Sequence, residues 1–148
     1  MTLKEQLAED LKSALRAKDR ERLSVLRMLL SAIRQKEIDE RIDLDDKDVL
    51  AVVEKMIKQR RDAEKQYRDA GRDELADAEA AEIVVLEGYL PEPLDDAALS
   101  EMIDAAITET GAESMRDMGK VMGVLKPKVQ GRADMGAVSA KVKEKLSG

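Results

Sequence analysis

The sequence contains no cysteine, histidine, tryptophan or phenylalanine, and only two tyrosines, Tyr67 and Tyr89. Without cysteine there is no disulfide and no thiolate ligand for zinc or an iron–sulfur cluster. Without histidine, Ser-His-Asp and Cys-His catalysis are excluded, and so is the commonest general base near neutral pH. Because aromatic residues make up only 1% of the chain, an RNA-binding platform that works by base stacking is excluded as well.

What the chain does contain is typical of a folded helical protein. Of its 148 residues, 43% are hydrophobic and 39% charged, and the net charge is −6. This length suits one domain or two small helical units. The N-terminus shows no basic segment followed by an apolar core, and the apolar runs are too short to span a bilayer. We therefore expect a cytoplasmic protein with no membrane partner.

Apolar residues recur at helical spacing throughout, which predicts an all-α fold. A capping box formed by Thr2 and Glu5 marks the start of the first helix. Acidic residues 43–48 suit the start of the third helix, and Gly71 suits its end. The residues predicted to be buried in the first four helices are Leu3, Leu7, Leu11, Leu15, Leu23, Leu26, Leu29, Leu30, Ile33, Val49, Val52, Val53, Met56, Ile57, Leu75, Ile83, Leu86 and Leu90.

The segment Pro91-Glu92-Pro93 is the clearest break in the chain, because two prolines one residue apart do not fit inside a helix. It predicts a bundle of about four helices over residues 1–91 and a small domain of about three short helices over residues 92–148. In the second domain, Pro127 is predicted to end the middle helix. The residues predicted to be buried there are Leu99, Met102, Ile103, Ala106, Ile107, Met115, Met118, Val121, Met122, Leu125, Val138, Val142 and Leu146.

Charge is distributed unevenly within the predicted second domain. Residues 93–113 hold six carboxylates and no basic side chain, whereas residues 114–148 hold eight basic and three acidic side chains. A local basic face can bind an anion even though the whole chain is acidic.

Two glycines, Gly119 and Gly123, share one face of the predicted middle helix. Each costs about 1 kcal/mol relative to alanine inside a helix, so some gain should offset them. One explanation is close helix–helix packing. The other is a bare face that a nucleic-acid backbone or a protein partner approaches, with Lys120 beside it.

A second candidate region is the loop that carries Lys126, Lys128, Gly131 and Arg132 toward the last helix, where Lys141 adds a further positive charge. Loop amides, a helix N-terminus and nearby cations together can hold a phosphate. The alternative is a solvated basic loop in which Asp134 caps the last helix and Arg132 forms a structural salt bridge. The spacing is not that of a P-loop.

Other features favour structural roles. Met115, Met118 and Met122 form a stripe that indicates core packing. The basic residues of the third helix alternate with acidic ones, which indicates an ordinary solvated face; they are Lys58, Arg60, Arg61, Lys65 and Arg68. No pair of carboxylates is singled out as acid and base, so we predict no catalytic residue, no metal site and no cofactor.

Several separated segments resemble the YqeY family, in order along essentially the whole chain. They are Leu26-Arg27, Lys58-Gln59-Arg60, Ala70-Gly71-Arg72-Asp73-Glu74-Leu75-Ala76, Glu79, Glu82, Gly88-Tyr89-Leu90-Pro91, Asp117-Met118-Gly119-Lys120-Val121-Met122 and Gly131-Arg132-Ala133-Asp134. The resemblance implies a two-part helical protein whose fold is shared with the C-terminal tail of the B subunit of glutamyl/aspartyl-tRNA amidotransferase, the part that helps to hold tRNA. It also implies the label of a carbon–nitrogen ligase with glutamine as amido-N-donor.

Three functions follow from these observations. The leading hypothesis is a non-catalytic module that binds tRNA or another structured RNA through Lys120, Lys126, Lys128, Arg132 and Lys141, with Gly119, Gly123 and Gly131 allowing backbone approach. The alternative is an adaptor that docks on an amidotransferase or another translation-related protein. The third is the ligase activity of the family label, which we do not expect of the isolated chain, because it lacks the amidotransferase's catalytic modules.

Overall fold

Seven α-helices make up the regular structure of residues 1–147, the part of the chain that the computed structural model describes. No strand occurs within that range, and the predicted all-α fold is confirmed. The helices are α1 (Leu3–Arg16), α2 (Arg20–Glu40), α3 (Asp46–Asp69), α4 (Asp73–Glu87), α5 (Asp96–Thr110), α6 (Met118–Val129) and α7 (Met135–Ser147).

Acceptor side chains at the helix starts explain where several helices begin. The Thr2 hydroxyl accepts the Glu5 amide and the Glu5 carboxylate accepts the Thr2 amide, which confirms the predicted capping box of α1. Asp45 and Asp48 form the same reciprocal arrangement at α3. Each such cap is worth about 1 kcal/mol, because it pairs amides that the helix leaves without partners.

The first compact unit contains α1 to α4 and extends from Met1 to Leu90. Within it, α3 and α4 pack as a helical hairpin around Gly71, which adopts the left-handed conformation (φ +74°) that favours glycine. The buried core of this unit consists of Leu7, Ala14, Val25, Leu26, Leu29, Ile33, Leu44, Val49, Val52, Val53, Met56, Ile57, Ile83 and Leu86.

Tyr89 attaches the end of this unit to α1. Its hydroxyl donates a hydrogen bond to the Asp10 carboxylate at 2.5 Å, and its ring packs against the core. Burial of the phenol, followed by the hydrogen bond to Asp10, raises the pKa of Tyr89. The phenol is therefore held in its neutral, donating form.

The second compact unit begins at Pro91 and contains α5, α6 and α7. The extended segment before α5 is joined to the loop between α6 and α7, because the Leu94 amide donates to the Arg132 carbonyl at 2.8 Å. The buried core of this unit consists of Leu99, Ile103, Ala106, Val121, Leu125, Val129, Val138, Val142 and Leu146.

Three residues predicted to be buried are exposed, namely Leu15, Leu75 and Met115. In α1 each four-residue step turns the side chain by about 40°, so the series that starts at Leu3 has rotated out of the core at Leu15. Ala14 is buried in its place. Met115 lies in a short 3₁₀ turn, Met115–Asp117, ahead of α6, where the α-helical period does not apply.

The prediction that Pro127 ends the middle helix of the second unit is wrong, because α6 continues through it to Val129. A proline this late in the helix removes one hydrogen bond, the one its missing amide would donate to residue 123. The continuation is stabilised by Val129, which is fully buried. The Gln130 amide also donates to the Lys126 carbonyl at 3.1 Å.

Candidate nucleic-acid interface

The two glycines of α6 lie on an open surface. Gly119 and Gly123 are both exposed, and a Cβ added at either position would meet no atom within 4 Å. Close packing against a helix of this chain therefore does not explain them. The first of the two explanations left open above is wrong, and the bare face remains.

Lysines flank this bare face on both sides. The buried side of α6 is defined by Val121, Leu125 and Val129. At about 100° per residue, Gly119 and Gly123 point away from it. The same rotation places Lys120 at one edge of the bare strip and Lys126 at the other. The two glycines and the two lysines are all exposed.

The charge environment of these two lysines is open. Within residues 1–147, the Lys126 ammonium has no carboxylate within ion-pair distance, and the Lys120 Nζ lies 3.9 Å from the Asp117 carboxylate. The hydrogen bond that Asp117 accepts from the Glu113 amide at 3.0 Å is the main reason why its pKa is lowered. The Lys120 ammonium faces the other oxygen of that carboxylate near the outer limit of ion-pair distance, and because it is 71% exposed a ligand can still reach it.

Arg116 was not among the predicted site residues. It is exposed in the 3₁₀ turn directly before α6, and it adds a positive charge next to the start of the bare strip. Its nearness to Lys120 in the sequence was the available signal. We call Arg116, Gly119, Lys120, Gly123 and Lys126 the α6 face.

The structure places two predicted site residues elsewhere. The Lys128 Nζ lies 3.7 Å from the Glu109 carboxylate, and the Lys141 Nζ lies 3.2 Å from that of Asp96. Both acids belong to α5, the acidic segment seen in the sequence. The two segments of opposite charge therefore face each other in the fold, and these lysines contribute less to a free basic surface.

The remaining predicted residues, Gly131 and Arg132, hold the loop between α6 and α7. Gly131 is buried and has a φ of +76°, a conformation that strains any other residue. The Arg132 guanidinium donates through Nε to the Glu92 carbonyl at 3.1 Å. Arg132 therefore has a structural role, but through a hydrogen bond to a backbone carbonyl and not through the expected salt bridge.

The expected phosphate site at the start of α7 is occupied by a side chain of the protein. The Asp134 carboxylate accepts the Ala137 amide at 3.1 Å, and a Cβ at Gly136 would lie 3.2 Å from the same carboxylate. A phosphate at this helix start would have to displace Asp134.

Other candidates proved structural. On α3, where a solvated face was predicted, Arg60, Arg61 and Arg68 pair with carboxylates of α4 at 2.9 Å, and these three arginines therefore have a structural role. Met118 and Met122 pack against the core of the second unit, as predicted for that part of the methionine stripe.

Glu79, singled out in the sequence only as part of the family resemblance, has a raised pKa. Burial, with the nearby Glu82 carboxylate as the second cause, raises the pKa of Glu79. Among residues 1–147, no group of three or more acidic side chains is arranged to hold a metal ion. No helix within the described range is both long and apolar enough to cross a membrane.

Comparison with known families gives one match, which covers nearly the whole chain. The family model described as "Yqey-like protein" matches residues 4–146. This range includes both compact units and every residue of the α6 face.

Several similar curated proteins carry the name "Altered inheritance of mitochondria protein 41, mitochondrial". The protein of Pyrenophora tritici-repentis is 30% identical over 141 residues, which is 93% of this chain and 77% of the relative. That of Kluyveromyces lactis is 35% identical over 123 residues, 78% of this chain and 66% of the relative. That of Lachancea thermotolerans is 39% identical over 85 residues, 57% of this chain and 46% of the relative. The chain thus spans less than two thirds of the last two relatives.

These names correct the expected localisation. The expectation of a cytoplasmic protein is wrong on this comparison, because the relatives that the chain matches are named as mitochondrial proteins.

Proposed function

Because the chain belongs to the YqeY family, whose resemblance to a tRNA-holding tail is noted above, we propose that it is a non-catalytic module that binds tRNA or another structured RNA through the α6 face. The observation that carries this proposal is the open glycine strip between Lys120 and Lys126, at which added Cβ atoms would meet nothing. A strip without side chains lets a sugar–phosphate backbone come close to the helix, while the flanking cations attract its charge.

The residue inventory determines how such binding would work. No histidine, tryptophan or phenylalanine is present, and both tyrosines lie in the first unit. Base stacking on the α6 face is therefore unavailable, and recognition would depend on phosphate contacts and RNA shape, as is typical for helical RNA.

The test is a filter-binding titration of the full chain with a tRNA transcript. With three phosphate contacts, from Arg116, Lys120 and Lys126, the affinity should fall about 40-fold between about 50 and about 200 mM salt, by the slope known for duplex DNA. The double variant Lys120→Glu/Lys126→Glu should lose most of the binding at the lower salt concentration.

The matched control is Lys128→Glu/Lys141→Glu, which makes the same change in net charge at lysines that pair with α5. We expect this control to retain most of the affinity. Equal losses in the two double variants would show that net charge, and not the α6 face, governs binding. Absence of tRNA binding at low salt would disprove the proposed function.

A further inference from the structure

A regular row of arginines runs along α2 in the first unit. Arg20, Arg27 and Arg34 are spaced seven residues apart, and Arg41 follows at the same interval as the C-cap of the helix. Seven residues fall only about 20° short of two full turns, so the three helical arginines stay on one face. All four are exposed, and we call them the arginine stripe.

Small polar residues separate the first three arginines. Ser24 and Ser31 occupy the positions four residues after Arg20 and Arg27, and both are exposed. The helical rotation brings no carboxylate between these three arginines, whereas the half-buried Glu37 and the exposed Ile38 lie between Arg34 and Arg41. The surface therefore presents guanidinium groups and hydroxyls, which are the side chains that most often donate to phosphate oxygens.

The arginine stripe is unpaired, unlike the other arginines of this unit that lie next to acids. Within residues 1–147, none of its four members has a carboxylate within ion-pair distance, whereas Arg60, Arg61 and Arg68 on α3 all do. The acid one turn from Arg34 is Glu37, and its carboxylate already accepts from the Lys4 ammonium at 2.8 Å and the Leu44 amide at 2.9 Å.

The spacing suits a long, evenly charged ligand. Neighbouring arginines are about 10 Å apart along the helix and the whole row extends about 30 Å. This interval is about one Debye length at 0.1 M salt, so the arginines repel one another only weakly. A ligand with phosphates along its length would meet all four at once.

Backbone strain at both ends of α2 is a second observation. Arg41 has a φ of +56°, and Lys18, just before the helix, has a φ of +57°. The other residues with positive φ in the described chain are Gly71, Gly111 and Gly131. Glycine would relieve the strain at both positions. The residues that flank α2 there are instead two cations, Lys18 and Arg41.

We propose that the arginine stripe, together with Lys18, is a second RNA-binding surface that follows the phosphate backbone of a double-helical segment. The ligand class rests on the proposed function, but the surface lies in the other unit and is tested separately. An acidic protein would be expected to meet apolar anchors at the centre of its interface. A membrane surface would require an apolar row beside the cations. Beside the stripe the exposed apolar residues are Met28, Ile38 and Ile42, and the wide gap between Met28 and Ile38 leaves no continuous apolar row.

The first experiment measures binding of the full chain to an RNA duplex of about 16 base pairs or longer. In Arg27→Gln/Arg34→Gln the slope of log affinity against log salt should fall by about two, one for each phosphate that the variant no longer binds. The matched control Arg61→Gln/Arg68→Gln removes two paired arginines of the same unit and should keep the parent slope. An unchanged slope in the stripe variant would overturn the inference.

The second experiment separates binding from folding. Replacing Arg41 or Lys18 with glycine relieves strain, so the thermal midpoint of Arg41→Gly and of Lys18→Gly should stay level or rise. The same variants should weaken RNA binding several-fold. If the thermal midpoint rises and RNA affinity is unchanged, the cations are only helix caps and the inference is wrong.

Two further outcomes keep this inference distinct from the proposed function. Loss of binding in the stripe variants with full binding in Lys120→Glu/Lys126→Glu would support the arginine stripe and reject the α6 face. The reverse result would reject the stripe alone.

Polyglutamate and, separately, vesicles of phosphatidylglycerol serve as competing anions. If the stripe variants lose binding to one of these but not to the RNA duplex, the inference is overturned.

Discussion

At the scale of single residues, Tyr89 shows how one polar contact is built into the first unit. Its hydroxyl reaches Asp10 on α1 from the end of α4, across 79 positions of sequence. The phenol is partly buried among apolar side chains, and a buried hydroxyl that keeps a charged acceptor stabilises a fold by about 1.5–3 kcal/mol. The contact therefore joins the two ends of the unit as well as filling its core.

We predict that Tyr89→Phe destabilises the chain by about 1–2 kcal/mol near neutral pH, because it removes the hydrogen bond to Asp10 Oδ2 and leaves that carboxylate with Gln6 alone as its side-chain donor. The folded state raises the pKa of Tyr89, so this stabilisation is fully present below the unfolded value of about 10 and is lost as the pH rises beyond it. Urea unfolding of parent and variant at about pH 8 and about pH 10.5 measures the difference. A gap between the two proteins that stays constant with pH would contradict the prediction.

At the scale of elements, α6 is a regular helix even though several of its residues disfavour helix formation. It contains two glycines and a proline, yet it extends over twelve residues and supplies three fully buried side chains to the core, Val121, Leu125 and Val129. Burial of these residues, spaced one turn apart, compensates for the weak helix propensity of the opposite face.

We predict that Gly119→Ala and Gly123→Ala each stabilise the second unit by about 1 kcal/mol, because the added methyl meets no atom and alanine favours the helix. Thermal unfolding followed by circular dichroism measures the change. If the bare strip serves backbone approach, the same variants weaken tRNA binding while raising stability.

The control for this prediction is Gly88→Ala at the end of α4, where an added Cβ would lie 3.2 Å from the Val85 carbonyl oxygen. This variant should not gain stability. A gain at Gly88 equal to that at Gly119 would mean that open space is not what distinguishes the α6 glycines.

The helices themselves were largely predictable, because the rules that define them act over short distances. The five residues predicted to be buried in α3, Val49 to Ile57, are all buried, since their spacing stays on one face. The prediction that Leu15 is buried was wrong because a four-residue repeat drifts around the helix over three turns. The prediction that α6 ends at Pro127 was wrong because burial of Val129, a tertiary contact, outweighs the local propensity of proline.

The candidate site was less predictable than the helices, because its charges are sorted by long-range pairing. Nothing near Lys141 in sequence indicates that its partner is Asp96, 45 positions away. By contrast, the seven-residue repeat of the arginine stripe is visible in the sequence. It was not predicted as a site, and acidic residues on the same helix offset most of its charge in the sequence.

At the scale of the whole molecule, the net charge is negative, whereas two local surfaces are positively charged. The chain carries −6 overall, and many of its acids are engaged with cations or helix starts, as Asp96, Glu87 and Asp45 are. The arginine stripe on α2 and Lys126 on the α6 face carry no ion pair within residues 1–147, although the exposed Glu21 of α2 carries none either. For the proposed RNA binding, an acidic total with small basic surfaces would limit unspecific attraction and direct binding to those surfaces.

The molecule has two hydrophobic cores, one from each compact unit, and this leads to a prediction about unfolding. Both tyrosines, Tyr67 and Tyr89, lie in the first unit, so tyrosine fluorescence reports that unit alone, while circular dichroism reports helices of both.

Leu125→Ala removes a fully buried side chain of the second core and should cost about 2–5 kcal/mol there. We expect it to move part of the circular dichroism transition to lower denaturant and to leave the fluorescence transition in place. Leu26→Ala, in the first core, should shift the fluorescence transition. If Leu125→Ala shifts the fluorescence transition as far as Leu26→Ala does, the two cores unfold as one cooperative unit, contrary to what their separate side-chain contacts predict.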